Sequence, residues 1–403
     1  MNKFMSPKNI VLFTVFIDVL GIGVVIPSLP YYVQSFGATP STVTLLFSVF
    51  SLFAFFSAPL LGAWSDKIGR RPILILSIVS SAVGWFTFAA ARSIYVLFLG
   101  RVIDGLAAGN FSTAQSYLAD LSKDEKERTH NLGLSGAIFG IGFIIGPMIG
   151  GLLAHYSNEL PFWFVGALAS LNAVLAYFNL PETHHKREAF QNSKSELNPF
   201  VPIWRSFKNK VIAGGLSAWF LLMLAVAFQQ SVFALYIYHA FGFGAAVSGL
   251  FLTGIGVILS INQGFLLKRF WIKRFKVPEL ELGMLLVLAC GFFLMSYQAL
   301  GVFIAGIITI AFSQSVLRVV MTSQIVGGAG ERRGEVMGVT SSLMSLAMII
   351  GPILSGYAFE YEISLPFIIS GLIALAAWFM IYSARKRLAK IKLAEQAPAE
   401  YIA

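Results

Sequence analysis

The chain has 403 residues, 57% of them hydrophobic and 12% charged, against roughly 25% charged in soluble domains; its mean hydropathy is +0.77. This composition places it in a bilayer, and the single Cys290 excludes an intramolecular disulfide. The net charge of +10 raises nucleic acid as a partner, but the placement of the charges argues against it.

Apolar runs of the roughly 20 residues needed to cross a bilayer fall at 9–36, 41–64, 72–91, 94–119, 130–154 and 161–180. A second set falls at 211–241, 245–267, 280–299, 301–326, 335–358 and 364–384. Twelve transmembrane helices are therefore expected. A β-barrel would show short alternating strands instead. If both termini face the cytoplasm, 26 of the 29 Lys and Arg residues lie in inner segments, leaving Arg92 in an outer loop and Arg101 and Arg318 inside spans. That asymmetry follows the positive-inside rule. The basic balance then reflects topology and anionic lipid, with no nucleic-acid site.

The first span is long and lacks a small-residue cleavage site, so it reads as a retained helix rather than a signal peptide. It carries Asp18 roughly 13 Å deep, near the middle of a hydrocarbon core about 30 Å thick. A carboxylate there is costly unless it is paired, protonated or facing water. It is read as functional, with a hydrogen-bonded structural acid as the other reading. After the second span comes GAWSDKIGRRP, read as a connection over residues 62–72, with Gly62, Asp66, Gly69, Arg70 and Arg71. This G-x-x-x-D-x-x-G-R-R pattern resembles the signature loop of the major facilitator superfamily, which joins the second and third spans.

The fourth span holds Arg101 beyond easy snorkelling, with Asp104 at i+3 on a neighbouring part of the helix surface. Arg101, Gly105 and Gly109 resemble the family's fourth-span signature, in which the arginine lies beside the central cavity. Asp104 is either a counter-ion for Arg101 or a further proton site. Asp120 resembles the family acid that pairs with the loop arginine, here Arg70. The following DLSKDEKERTH has the composition of a solvated turn.

The fifth span reads G-x8-G-x3-G-P-x2-G-G at Gly133, Gly142, Gly146, Pro147, Gly150 and Gly151. Glycines four apart let a second helix come close, and Pro147 removes a backbone donor. The full pattern resembles the antiporter signature of the superfamily. Offset by 205 residues, Gly338, Gly351, Pro352 and Gly356 repeat Gly133, Gly146, Pro147 and Gly151, so the chain reads as two halves of one repeat.

Residues 181–210 form a polar tether. His184 and His185 are adjacent, not four apart as two ligands on one helix face would be, and Trp204 with Phe207 suggests an interfacial segment. In the second half Lys268 stands near where Asp66 would repeat, Glu279 and Glu281 sit at a membrane edge, and Arg318 is the deep charge. Arg318 binds an anionic part of a substrate or satisfies carbonyls between helices. Gln229, Gln230, Gln263 and Gln314 are substrate-contact candidates, although each could simply link helices.

The fold class expected is an all-α integral membrane protein, with twelve transmembrane helices in two six-helix bundles related by a pseudo-two-fold axis, the major facilitator fold. Residues 1–180 form the first bundle, 181–210 the cytoplasmic linker, 211–384 the second bundle and 385–403 a cytoplasmic tail. The resemblance is closest to drug and proton antiporters of the tetracycline-resistance-like branch. It implies a monomeric inner-membrane exporter of small amphipathic compounds, exchanging them for protons, with Asp18, Arg101 and Asp104 as one coupled unit and no cofactor or metal. An exporter of an endogenous anionic metabolite, siderophore or lipid is the alternative within transport. A transporter-like receptor or a membrane enzyme is the alternative outside it, but no nucleophile and base or metal cluster stands at membrane depth.

Overall fold

A computed structural model describes residues 6–106, 108–183, 200–209, 211–330 and 332–395, with side chains to residue 386. His184, His185 and most of the polar tether lie outside the described residues. The helices are α1 (Pro7–Gln34), α2 (Pro40–Ile68), α3 (Arg70–Ala89), α4 (Ile94–Leu106), α5 (Asn110–Asp120), α6 (Glu125–Tyr156), α7 (Leu160–Asn179) and α8 (Phe200–Lys208). There follow α9 (Ala213–Phe241), α10 (Ala245–Ile261), a wide π-helical stretch Asn262–Trp271, α11 (Ile272–Arg274), α12 (Val277–Met295), α13 (Leu300–Gly327), α14 (Arg333–Tyr361) and α15 (Leu365–Glu395). Among the described residues twelve helical segments are long and apolar enough to cross a membrane, α4 with α5 and α10 through α11 each counting as one.

Local chemistry sets the helix ends. Ser6 caps α1 by accepting from the Asn9 amide, with Pro7 at the first turn, and Thr39 with Pro40 does the same for α2; Pro is suited to a position whose N–H has no helical acceptor. Two sequence expectations are corrected here. The signature connection is not a loop over residues 62–72, because α2 continues through Asp66 to Ile68 and only Gly69 separates it from α3. Gly69 makes that turn at φ 121°, where a side chain would be strained. The mixed-charge turn after Asp120 is also short, since α6 starts at Glu125. Asp124 caps it by accepting from the Glu127 amide at 2.7 Å, and Glu127 reaches back to the Lys123 amide at 2.9 Å. The fourth span is present as expected, from Ile94 to Asp120, with a turn at Ala108 and Gly109 inside it, so that α5 starts at Asn110.

The described residues fall into two compact units. The first gathers those within Met1–Pro199, Phe228–Val257 and Met348–Pro366, the second those within Phe200–Ala227, Ile258–Ala347 and Phe367–Ala403. In the first unit α1 is central, its Ile10, Val11 and Val15 packing with Leu74, Ile78, Tyr117, Leu118 and Ala176. Its buried Thr14 pairs with Asn172 of α7 at 2.9 Å, and the Tyr32 hydroxyl donates to the carbonyls at the end of α3, Ala89 at 3.1 Å among them. In the second unit the indole of Trp219 donates to the Thr340 carbonyl at 3.0 Å, and Ser370 to that of Ala225 at 3.1 Å. These side-chain bonds join helices where no water competes for the donors.

Candidate functional site

The interrupted fourth span brings the deep polar groups of the first unit together. Arg101, near the end of α4, is 4% exposed and lies 3.5 Å from Asp104. Its guanidinium also lies 4.7 Å from the centroid of the Trp85 ring, 4.8 Å from that of Phe88 and 5.6 Å from that of Phe50. Three π faces and one carboxylate take the place of part of the water shell that this cation gives up. Gly84 makes this pairing possible, since a Cβ there would stand 3.0 Å from the Cβ of Asp104.

Asn110, the first residue of α5, reaches α1 and α3. Its amide donates to Asp18 Oδ1 at 3.0 Å and to Ser81 Oγ at 3.3 Å. Asp18 Oδ2, Asn110 Oδ1 and Arg101 Nε are buried with no hydrogen-bond partner among the described residues. Of the residues grouped from the sequence, Arg101 and Asp104 pair directly, and Asp18 is bound by Asn110, which was not in that group. Asn110 carried one signal, a large polar side chain directly after Gly109 at mid-span.

The antiporter-motif helix α6 meets backbone on two faces. On one, a Cβ at Gly146 would stand 2.8 Å from the Leu20 carbonyl oxygen and 2.9 Å from Gly23 Cα. One at Gly142 would stand 3.1 Å from Val19, and one at Gly150 2.8 Å from Val24 Cα. On the other face a Cβ at Gly151 would stand 2.6 Å from the Ala245 carbonyl oxygen, and one at Gly249 would overlap the Pro147 carbonyl. Thr253 donates to the Ile144 carbonyl at 3.0 Å, one residue beyond the carbonyl that Pro147 leaves without its helical donor. Gly133 and Gly62 have no such neighbours.

At the helix ends that carry the signature, Arg70 pairs with Asp66 and, through Nε, with Asp120 at 3.1 Å. It also donates to Ser65 at 2.7 Å. Glu182, which the sequence reading passed over, accepts from the amides of Arg70 at 2.9 Å and Arg71 at 3.2 Å, placing a carboxylate on the N-terminus of α3. A side chain on Gly69 would run into that carboxylate. Arg71 reaches the Tyr177 carbonyl at 2.7 Å.

The substrate candidates divide between the units, Gln229 and Gln230 in the first and Gln263, Gln314 and Arg318 in the second. Gln229 is buried, Gln230 and Gln314 partly exposed, and Gln263 and Arg318 exposed. Gln263 donates to the Ser315 carbonyl at 3.2 Å. Arg318, far along α13, has no carboxylate within ion-pair distance among the described residues. Elsewhere in that unit Glu281, 3% exposed, pairs with Arg385 and accepts from Gln324 at 3.1 Å.

A family model described as Major Facilitator Superfamily matches residues 11–328. Tetracycline resistance protein, class E, of Escherichia coli is 30% identical over 360 residues, covering 86% of this chain and 86% of its own length. Multidrug resistance protein 1 of Bacillus subtilis is 28% identical, covering 91% and 93%. Quinolone resistance protein NorA of Staphylococcus aureus is 28% identical, covering 94% and 97%. Among solved structures, the human organic anion transporter MFSD10 superimposes with a TM-score of 0.68 at 23% identity, covering 93% of this chain and 98% of its own. The nucleoside transporter NupG reaches 0.76 at 15%, covering 95% and 100%. These two speak for the fold alone.

Proposed function

The chain belongs to the Major Facilitator Superfamily, an integral membrane transporter with drug-efflux relatives, and from that premise we propose that it exports small amphipathic compounds in exchange for protons by alternating access. The observation that carries the proton coupling is Asp18. Its carboxylate lies in mid-span, with Oδ1 held by Asn110 and Oδ2 buried without a protein partner. A carboxyl that binds a proton reversibly needs an oxygen not committed to a fixed donor. Burial and a donated hydrogen bond such as that from Asn110 act in opposite senses on the proton affinity of such a group, so a change in hydration between two transporter states alters its occupancy.

In this reading two six-helix bundles, residues 1–180 and 211–384, move about a central site, with 181–210 as linker, 385–403 as tail and both termini cytoplasmic. A single chain carries the whole cycle. Asp18, Arg101 and Asp104 exchange the proton, and the close seam of α6 on α1 constrains how the coupled helix moves. Asp66, Arg70 and Asp120 act as a cytoplasmic latch. Gln229, Gln230, Gln263, Gln314 and Arg318 contact the substrate. Arg318 favours a second reading of the substrate, one that bears a carboxylate, phosphate or zwitterionic group, because a cation at membrane depth with no acid beside it gains most from an anionic ligand.

Internal pH in proteoliposomes with an imposed proton gradient tests both readings as cationic, zwitterionic and anionic amphiphiles are added. Wild type is expected to show substrate-dependent proton flux that Asp18→Asn abolishes, and Arg318→Ala selectively weakens transport of compounds with an anionic group. Compounds that bind without moving protons in wild type would sink the antiport assignment.

A further inference from the structure

We propose that Tyr31 is the positioning residue that holds shut the end of the transporter opposite the Arg70 cluster, and that its hydroxyl must let go before substrate can leave by that end. This inference rests on the alternating-access reading above. Tyr31 lies in the last turn of α1. Its hydroxyl oxygen stands 2.8 Å from Ser248 Oγ, 3.0 Å from the Phe243 carbonyl and 3.2 Å from the Ala234 carbonyl. Those partners lie on α10, in the connection between α9 and α10, and on α9. A phenol has one hydrogen to give and carbonyls only accept, so the Tyr31 hydrogen is shared between the two carbonyls and the Ser248 hydroxyl donates to Tyr31. One side chain thereby ties α1 to three successive pieces of chain.

Gly242 prepares this arrangement. It is left-handed at φ 69° and ends α9 with its amide on the Tyr238 carbonyl at 2.9 Å, which leaves the Phe243 carbonyl outside both helices, where Tyr31 meets it. Tyr238 stands edge-on to the Tyr31 ring, with the centroids 5.7 Å apart. Three further contacts are made at this end. Gln34 lies 3.3 Å from His239, the Ser41 amide donates to Glu360 at 3.0 Å, and a Cβ at Gly356 would stand 2.7 Å from Ser41 Cα. Like those of Tyr31, they join the chain before the polar tether to the chain after it, and all lie in the first unit. Ser41 is in the first turn of α2, about 40 Å along that helix from Asp66, which puts these contacts at the far end from the Arg70 cluster.

Exposure decides which of these contacts does the holding. His239 and Glu360 are exposed, so water replaces their bonds at little cost. Ser248 is 0% exposed and Ala234 1%, and a polar group parted from Tyr31 there stays unpaired until water enters. Release of Tyr31 therefore demands a wetted passage, the same condition that an exit path for substrate requires. The next residue supplies an internal comparison. The Tyr32 hydroxyl is tied as closely, to the carbonyls of Phe88 at 3.2 Å and Ala89 at 3.1 Å, but these lie on α3, in the same bundle as α1, and stay with it when the bundles move.

Pulsed electron resonance distances between spin labels at Tyr156→Cys and Tyr361→Cys, in the full chain carrying Cys290→Ser and held in lipid, test the proposal. Both positions are exposed and end α6 and α14 on this side of the protein. Samples over a range of pH, with and without the amphiphiles of the flux assay, locate a condition in which the otherwise unaltered chain populates a short and a long distance. There Tyr31→Phe is expected to raise the long-to-short ratio about two- to tenfold, the range that one net hydrogen bond commands. Tyr32→Phe should leave the ratio unchanged and lower thermal stability alone. Should Tyr31→Phe fail to fold, Ser248→Ala removes the other hydroxyl and reads the same shift. An unchanged ratio in Tyr31→Phe, or in Ser248→Ala in its place, overturns the inference and leaves alternating access standing, as does an equal shift in Tyr32→Phe. A single distance under every condition, before either tyrosine is changed, overturns both.

Discussion

The two units solve one mechanical problem with opposite charges. In the first, a cation at the start of α3, Arg70, is held by acids from α2 and α5, Asp66 and Asp120, while Glu182 accepts from the first amides of α3. In the second, an acid in the first turns of α12, Glu281, is held by a cation from α15, Arg385, with Gln324 of α13 completing the group. The exposures differ as well. The Asp66 side chain is 55% exposed, whereas that of Glu281 is 4% exposed. An exposed acid that loses its partner returns to water, while a buried one is stranded. The first arrangement is therefore suited to opening and closing, the second to holding helices together throughout.

The largest expected effect breaks this comparison most directly. Arg385→Ala leaves Glu281 buried without its cation and should cost about 3–5 kcal/mol, read as a fall in thermal stability in detergent. Gly69→Ala places a Cβ against the Glu182 carboxylate at a backbone angle that disfavours it, and should cost about 1–3 kcal/mol by the same measurement. Arg70→Ala should cost only about 1 kcal/mol yet slow transport in vesicles. If it destabilises as much as Arg385→Ala, the contrast between a releasable and a permanent clasp is wrong. The smallest effect is expected from Glu182→Gln, which keeps an acceptor for the α3 amides but removes the charge, about 0.3–1 kcal/mol. Its loss should shrink further at high salt.

The twelve spans were legible because a membrane helix must be apolar for its whole length, and such runs stand out. Asp18, Arg101 and Asp104 were legible for the same reason, as charges where none are cheap. Asn110 and Ser81 were not, since an amide or hydroxyl at membrane depth commonly bonds within its own helix or to a neighbour, and only the geometry shows which. Glu281 and Arg385 were hidden differently. Glu281 lies near a helix end and Arg385 at the edge of the apolar part of α15, places where charge is ordinary, and their pairing depends on α12 and α15 lying side by side. The continuous helix through Asp66 was obscured because Gly62 and the charges around Asp66 read as a turn, whereas Gly69 supplies the turn alone.

The seam of α6 also bears on how the protein is made. Gly151 and Pro147 meet Ala245 and Gly249 on α10, a helix not yet synthesised when α6 enters the bilayer. The contacts of α6 with α1 can form while α10 is still to be made, whereas the face carrying Pro147 and Gly151 has its partner only once α10 has been added. The glycines that allow close approach in the finished protein also keep the half-built one available for its late partner.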